Sequence, residues 1–504
     1  MSDLYALILA GGSGTRLWPM SRQSSPKQLI SLGRELSLFQ ETVSRIRTRI
    51  EPERMIFLTS RELEGEIRDH LRRYMGKNAD DCLVVGEPVA RNTAPAILLG
   101  ARIVQARDPD ALLLVAPSDH IILDTNSFIL AIDSSLDAAA SGMIVTYGIT
   151  PTRAETGYGY IRAGQKEGKV YRVEKFEEKP TAARAEKLFK DKKYTWNSGI
   201  FLFSVKAIME DAKKHLPACS SALARIDTGT LDGLDEVYSG IESISIDHGI
   251  MEKTDRAAVV PVSMGWSDLG SWDSVYEMRQ KDSSGNVVSG DVFGLENEDC
   301  MILGEGKFLA VSGMKDTIVV QTEDATLICP RGRSQDVRHI VGHLEEQGRS
   351  ERLIHPTVRR PWGAYTVLIE SGMYKVKRLT VDPHQKMSLQ KHERRSEHWV
   401  VVTGKVIVTR GEDRMTLKAN EGVTIPIGTA HRIENPADET AELVEVQLGE
   451  YVGEDDIVRL DDDYGRVGRE GTGGGPSTGS GQARGRVGEG EKNFRHGEKA
   501  GDGQ

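Results

Sequence analysis

Tyr5-Ala-Leu-Ile-Leu-Ala-Gly-Gly-Ser-Gly-Thr-Arg-Leu17 carries an apolar strand straight into a glycine-rich turn, and the fold class follows from that junction. In an open α/β sheet, the carboxyl end of the first strand is where ligands bind. The turn is not a dinucleotide fingerprint, because Gly12-x-Gly14 has no third glycine at position 17. Nor is it a Walker A loop, because no Gly-Lys-Ser/Thr closes it. Glycines still let backbone N–H groups approach a phosphate chain closely, and Arg16 can clamp developing charge bidentately, with Lys27 as a second cation after Pro26. An ordinary tight strand-to-helix connection would read the same way, so the rest of the chain has to decide.

Outward from the turn, apolar runs over 5–10, 55–59, 111–116 and 143–148 alternate with helical patterns over 93–106 and 128–140, as a mainly parallel sheet flanked by helices requires. Short β-like runs follow over 301–303, 317–321 and 325–329. Val337, Ile340, Val341 and Leu344 then form one apolar helical stripe, and polar residues 345–351 read as a linker. Residues 374–381 alternate as a strand, and a second β-run covers 399–408, so 359–466 reads as a separate small barrel. The domains expected are 1–284 (α/β), 285–345 (small β with a helix), 346–358 (linker), 359–466 (barrel) and a Gly-rich tail, 467–504. That tail cannot bury enough apolar surface to offset its ordering entropy and is expected to be disordered.

A chain of 504 residues is too long for one core. Its formal charge of -10 argues against nucleic acid, so anionic substrates must meet local basic clusters. Cys82, Cys219, Cys300 and Cys329 lie far apart without CxxC spacing, which suggests neither a disulfide framework nor a cysteine zinc site and fits a reducing compartment. The N-terminus lacks a basic leader and no apolar stretch reaches about 18 residues. The expectation is a soluble cytoplasmic protein with no membrane partner.

Two carboxylates decide the chemistry. Ala111-Leu-Leu-Leu-Val-Ala-Pro-Ser-Asp119-His120 puts one just past a buried strand, on the ligand edge, although Ser118 or Asp119 could instead cap the next helix. Gly265-Trp-Ser-Asp268-Leu-Gly-Ser-Trp272 puts another in a loop after the apolar run 257–262. Two such aspartates can hold one Mg2+ that keeps several waters and meets substrate phosphates.

The stretch from Leu7 through Trp18-Pro19 to Arg22, with Pro26-Lys27, resembles the signature of nucleotidyltransferases that make nucleotide sugars. Trp18-Pro19 and Arg22 narrow the likeness to mannose-1-phosphate guanylyltransferases. Arg91-Asn-Thr-Ala-Pro95, Pro117-Ser-Asp-His120, Thr156-Gly-Tyr-Gly-Tyr-Ile161, Phe176-Glu-Glu-Lys-Pro180 and Trp196-Asn-Ser-Gly-Ile-Phe201 follow in the family's order. The resemblance implies a Rossmann-like transferase domain and then a small solenoid-like β domain. It implies that Gly11, Gly12, Gly14, Thr15 and Arg16 hold the triphosphate beside Lys27, with Arg22, Asn92 and Thr93 added to the nucleotide site. It further implies metal ligation by Asp119 and Asp268, and sugar contacts from Gly159, Glu177, Lys179 and Asn197. Tyr158 and Tyr160 read as packing residues.

In the last domain, Gln390-Lys-His392-Glu-Arg-Arg-Ser-Glu397 places Gln390 and His392 on one face of a strand, with Glu397 past a turn. Pro426-Ile-Gly-Thr-Ala-His431 supplies a second imidazole. This N/O set suits Zn2+, Mn2+, Co2+ or Fe2+. The two boxes resemble cupin motifs. With Arg359-Arg-Pro-Trp-Gly363, Ser396-Glu-His-Trp-Val400 and Gly453-Glu-Asp-Asp-Ile-Val458 they are similar to the mannose-6-phosphate isomerase domain of two-activity enzymes. His384 and Asn420 stand where the cupin boxes expect glycine. The likeness implies phosphate-gripping arginines at Arg395, the first choice and a catalytic candidate, and at Arg459 and Arg466. The base for isomerisation is not identifiable.

The reading is a bifunctional enzyme. It would make GDP-mannose from GTP and mannose 1-phosphate with Mg2+, and interconvert mannose 6-phosphate with fructose 6-phosphate using Zn2+, Mn2+ or Co2+. A separate phosphomannomutase is implied, and oligomeric state is open, a homo-oligomer included. The alternatives are a transferase whose cupin only binds metal or sugar, and a non-catalytic sugar-nucleotide sensor. The intact Arg16, Lys27, Asp119 and Asp268 set argues against the sensor.

Overall fold

The computed structural model describes residues 3–12 and 14–461; Arg466 and the tail 467–504 lie outside them. The first domain is built on β1 (Leu4–Leu9), β2 (Met55–Ser60), β3 (Leu83–Glu87), β4 (Leu112–Pro117), β5 (Ile121–Ile122), β6 (Ile144–Ile149), β7 (Tyr160–Glu167), β8 (Val170–Glu177), β9 (Tyr194–Ser204) and β10 (Ala257–Pro261). All but β5 form one sheet in the order β3-β2-β1-β4-β9-β6-β10-β8-β7. The β3-β2-β1-β4 half is parallel, and β9 runs antiparallel to both β4 and β6. Ala6 and Ile8 enter one apolar cluster with Phe39, Phe57 and Leu114, while Tyr5 and Leu7 enter another with Ile56, Ile97 and Val115. Burial on both faces is why β1 reads as a continuous apolar run.

The helix Thr93–Arg107 starts at Asn92, whose side chain accepts from the Thr93 N–H. The helix Thr125–Ala140 starts at Asp124, whose carboxylate accepts from the Ser127 N–H at 3.0 Å. Asp124 therefore takes the capping role that the sequence left open to Ser118 or Asp119.

Four strands, Val287–Leu295, Met301–Ser312, Thr317–Gln321 and Thr326–Pro330, make the small β domain, the first three parallel. Their core residues Met301, Leu303, Ile318 and Val320 pack with Leu17, Trp18, Leu269 and Trp272 of the first domain, and the stripe Val337, Ile340, Val341 and Leu344 closes that cluster. The expected boundary at 285 is thus bridged by one shared core. Across it, the fully buried Arg22 sets its Nη2 2.7 Å from Asp324 Oδ1 and 3.3 Å from Thr322 Oγ1. Assigned from its motif to the nucleotide, Arg22 here clamps two domains together.

The polar stretch 345–351 is likewise engaged. The helix Val337–Glu346 extends into it, the Glu351 carbonyl accepts from Trp18 Nε1 at 2.9 Å, and the Arg352 and Leu353 carbonyls accept from Gln23 N and Ser24 N.

The last domain is a β-sandwich of a six-stranded and a five-stranded sheet around its own core of Trp362, Leu379, Trp399, Val406, Ile433 and Leu443. The run expected over 399–408 is two strands, Arg395–Thr403 and Lys405–Arg410, that meet at Gly404 with φ 79°. A glycine at that αL position lets the chain switch sheets. His384 (φ 59°) and Asn420 (φ 68°) adopt the left-handed backbone that a glycine would have taken, and histidine and asparagine are among the few residues that tolerate it. Among the described residues, no helix is long and apolar enough to cross a membrane.

Asp324→Ala leaves Arg22 buried without its counter-charge. The expected loss is about 3–5 kcal/mol, read in the denaturant unfolding transition; a shift under about 1 kcal/mol rejects the clamp. At the end of β3, burial pushes the Glu87 carboxyl up from 4.5 to about 7. Its contribution to stability is therefore full below pH 4.5 and lost as pH rises through 7. Glutamine does not titrate, so Glu87→Gln should gain in thermal midpoint over the parent as pH rises from about 5 to about 8; a pH-independent difference contradicts the assignment.

Candidate active and metal sites

Strand β1 delivers the loop Gly11–Gly14 to the sheet edge, where Gln28 Nε2 holds the Ala10 carbonyl at 2.9 Å. At Gly14 (φ 47°) an added Cβ would lie 2.6 Å from the Lys27 nitrogen, so only glycine lets the loop rest on the Lys27 backbone. The Lys27 ammonium reaches Asp119 Oδ2 at 2.7 Å and also donates to the Asp268 carbonyl. Asp119, just past β4, and the Asp268 loop therefore meet at the Lys27 ammonium, and the glycine loop rests on the backbone of the same lysine. Burial alone would raise the Asp119 carboxyl, but Lys27 and His120 outweigh it and hold it below its usual range.

Asp268 is fixed in its turn. Its Oδ1 accepts from the Tyr158 hydroxyl at 2.5 Å and from Gly270 N at 3.0 Å. Burial, then the Asp268 charge, pushes the Tyr158 phenol far up, so it stays a donor. The carboxylate oxygens that Asp119 and Asp268 offer suit a hard ion such as Mg2+. Arg16, Gly11 and Gly12 are exposed along the loop, with Thr15 half-buried. Asn92 and Thr93 are engaged elsewhere: Asn92 caps its helix, and Thr93 Oγ1 accepts from Ile246 N at 2.9 Å.

On the expected sugar side, Asn197 N donates to the Gly159 carbonyl at 2.8 Å, while its side chain accepts from Thr146 Oγ1 (2.8 Å) and donates to Asp247 Oδ1 (3.0 Å). Glu177 points elsewhere. Its carboxylate is paired with Arg184 and Lys175, and the Arg184 hydrogen bonds hold it down to about 2. The neighbouring Glu178 turns inward, so close to Gly159 that an added Cβ would lie 2.5 Å from its Oε2. Lys179 pairs with Glu178 at 2.9 Å, and burial, then Glu178, pushes Asp247 up to about 7. Glu178 and Asp247 are the residues that sequence reasoning missed. Glu178 lies just past β8, where strand alternation no longer tells in from out. Asp247 opens a single π-helical turn, Asp247–Met251, that no spacing rule announces.

In the sandwich, Gln390 pairs with His431 across adjacent strands. His392 Nε2 lies 2.9 Å from Glu397 Oε1 and His431 Nε2 3.6 Å from Glu397 Oε2, all three buried, with candidate ligand atoms within 4.8 Å of one another. Each imidazole anchors its Nδ1 on a backbone carbonyl, of Asp456 (3.1 Å) and Thr429 (2.9 Å), which turns Nε2 inward. His431 Nε2 is buried with no hydrogen-bond partner. A buried nitrogen aimed at a carboxylate and a second imidazole, with its tautomer set from behind, is what a metal ligand looks like. Gln390 Oε1, the expected fourth ligand atom, accepts from Ser388 Oγ at 3.1 Å. Gln447, unmarked in the sequence, donates to both Glu397 and Glu445 and leaves a buried Oε1 without a partner.

One arginine takes a different role. Arg395 is buried beneath the ligands, donating to the Gly453 carbonyl at 2.6 Å and lying 3.4 Å from Glu397, so it braces the site rather than presenting a free cation to a phosphate. Arg459 sits opposite Gln390 in the strand ladder. Lys375 and Lys377 are further buried cations of this domain. Lys375, Gln447 and Glu397 form one row across three strands, and Lys377, Glu445 and Trp399 the next; Leu379, Leu443 and Val401 then begin the apolar core. Lys377 reaches Glu454 at 2.6 Å.

Known proteins resemble the chain from residue 5 to residue 462. Residues 5–285 match the family described as Nucleotidyl transferase, 290–344 the MannoseP isomerase/GMP-like beta-helix domain, and 347–462 Mannose-6-phosphate isomerase C-terminal. The alginate biosynthesis protein AlgA of Pseudomonas aeruginosa is 42% identical over 473 residues, covering 92% of this chain and 98% of that one. The mannose-1-phosphate guanylyltransferase of Escherichia coli is 39% identical, covering 92% and 99%. A crystal structure of the mannose-1-phosphate geranyltransferase of Thermus thermophilus covers 68% of this chain and 99% of its own at TM-score 0.61 and 36% identity. With an oxygen-lined transferase site, a shared-core β domain and a His/Glu metal cradle in one polypeptide, the chain belongs to the nucleotidyltransferase family of mannose-1-phosphate guanylyltransferases that carry a mannose-6-phosphate isomerase C-terminal domain.

Proposed function

We propose that this chain transfers GMP from GTP to mannose 1-phosphate, releasing pyrophosphate, and interconverts mannose 6-phosphate with fructose 6-phosphate in its last domain. The observation that carries the first activity is that Asp119 and the Asp268 carbonyl meet the ammonium of Lys27, the residue on whose backbone the Gly11–Gly14 loop rests. In-line attack of a sugar phosphate oxygen on the α-phosphorus needs positioning and charge neutralisation, not a covalent nucleophile. Loop N–H groups and Arg16 receive the triphosphate, and Lys27 is placed to exchange its carboxylate partner for phosphate oxygens. Glu178, Asp247 and Asn197 accept and donate to sugar hydroxyls. Mg2+ held by Asp119 and Asp268 would supply the remaining neutralisation.

For the isomerase, His392, Glu397 and His431, with Gln390 or Gln447, would hold a divalent ion, Zn2+, Mn2+ or Co2+, which would supply Lewis-acid polarisation of the sugar. Lys375 and Lys377 provide inward positive charge for the sugar phosphate, and the buried Glu445 and half-buried Glu454 are the carboxyl groups beside them. A narrower reading, transfer alone with a metal-binding barrel, draws support from the way Arg395 is committed to Glu397 and Gly453. Nothing here moves phosphate from C6 to C1, so a separate mutase must link the two reactions. The substrates are soluble, and a cytoplasmic setting suits them.

A paired assay of the purified chain decides between the readings: GTP with mannose 1-phosphate, then mannose 6-phosphate alone with added divalent metal. Asp268→Ala is expected to abolish pyrophosphate release while isomerisation continues, because the two cores are separate; loss of both activities in a folded variant refutes that independence. His431→Ala should release the sandwich metal, measured by elemental analysis after dialysis, and undiminished metal content rejects the ligand assignment.

A further inference from the structure

Tyr158 reads from sequence as a packing residue, and its ring does pack, edge-on between Trp196 and Trp266 with centroids 5.1 and 5.3 Å away. Its hydroxyl does something else. With Gly270 N it saturates Asp268 Oδ1, one donor at 2.5 Å and the other at 3.0 Å. A carboxylate oxygen that accepts two directed hydrogen bonds is fixed in rotation about its Cβ–Cγ bond, and Oδ2 becomes the oxygen available to a cation. The backbone beside this hydroxyl belongs to the sugar side. The Tyr158 carbonyl accepts from Lys179 N at 3.2 Å, and the Gly159 carbonyl accepts from Asn197 N at 2.8 Å. One dipeptide thus touches Asp268 with a side chain and the Lys179 and Asn197 segments with its main chain.

We propose that Tyr158 is a positioning residue that orients Asp268 for the cation and links occupancy of the sugar side to metal affinity. This rests on the reading of Asp268 as a metal ligand. The link works through rigidity. Sugar held against Gly159, Lys179 and Asn197 restrains the 158–159 backbone, which restrains the phenol and through it the carboxylate. By thermodynamic reciprocity, the metal must then tighten the sugar by the same factor.

The test titrates Mn2+ by electron paramagnetic resonance, with and without mannose 1-phosphate, in the full chain carrying His431→Ala so that the sandwich site does not contribute. In that parent, mannose 1-phosphate should tighten Mn2+ binding. Adding Tyr158→Phe, which keeps the ring and its packing, should weaken Mn2+ about 10- to 100-fold, as loss of a group that orients a ligand does elsewhere, and should abolish the response to the sugar. Circular dichroism checks that the variant is folded. Adding Asp268→Asn instead should weaken Mn2+ at least as much. If Asp268→Asn binds Mn2+ like the parent, the ligand assignment falls and this inference with it. If Asp268→Asn is weakened while Tyr158→Phe titrates like the parent, the positioning role alone is overturned. Weakened Mn2+ with an unchanged sugar response overturns the link and leaves the orienting role.

Discussion

The ammonium of Lys27 is a buried charge that the first domain cannot leave uncompensated. Only 6% of the residue is exposed, so its hydrogen bonds must come from protein or bound ligand. Asp119 arrives from the end of β4 and Asp268 from a loop far along the chain, and the glycine turn lies directly on the Lys27 backbone. Much else in the domain serves to bring those pieces together. The doubly buried β1 sets the turn at the sheet edge, Asp124 takes over helix capping so that Asp119 is left to face the site, and Tyr158 with Gly270 fixes the Asp268 carboxylate. A site assembled around a pre-formed cation partner is polarised before any phosphate enters it.

The parts of the fold that follow from burial were legible in the sequence. β1, β2, β4 and β6 were visible as apolar runs because both faces are covered, and the helix 337–346 was visible as a stripe because one face is. Asp119 and Asp268 were found because each stands just beyond such a run. What pattern could not supply was the direction of a polar side chain. Glu177 and Glu178 are adjacent and alike, yet one pairs with Arg184 at the surface and the other faces Gly159. Arg22 and Arg395 carry family motifs, and their charge told nothing of which neighbour each would meet. Residues 399–408 looked like one strand because the break at Gly404 depends on backbone handedness rather than hydropathy.

The sandwich domain divides its interior along the strand axis. Rows of lysine, glutamine and glutamate give way within a few residues to leucine and valine, so the apolar end supplies stability while the polar end holds partly unsatisfied groups such as His431 Nε2 and Gln447 Oε1. Buried polar atoms without a partner are uncommon in protein interiors, and a bound ligand is one way to complete them. That both cluster around Glu397 distinguishes this end as the working one.

The strap at 345–355 has an implication for dissecting the molecule. Its carbonyls cap Trp18, Gln23 and Ser24, and His355 Nε2 meets the Met20 carbonyl at 2.8 Å, all on the segment that leads into Pro26 and Lys27. A stand-alone transferase fragment cut at the compositional seam near 345 would strip those caps and unsettle the run-up to Lys27. Extending the cut to beyond 355 retains them, so the practical end of the first functional unit lies inside what looks like a spacer.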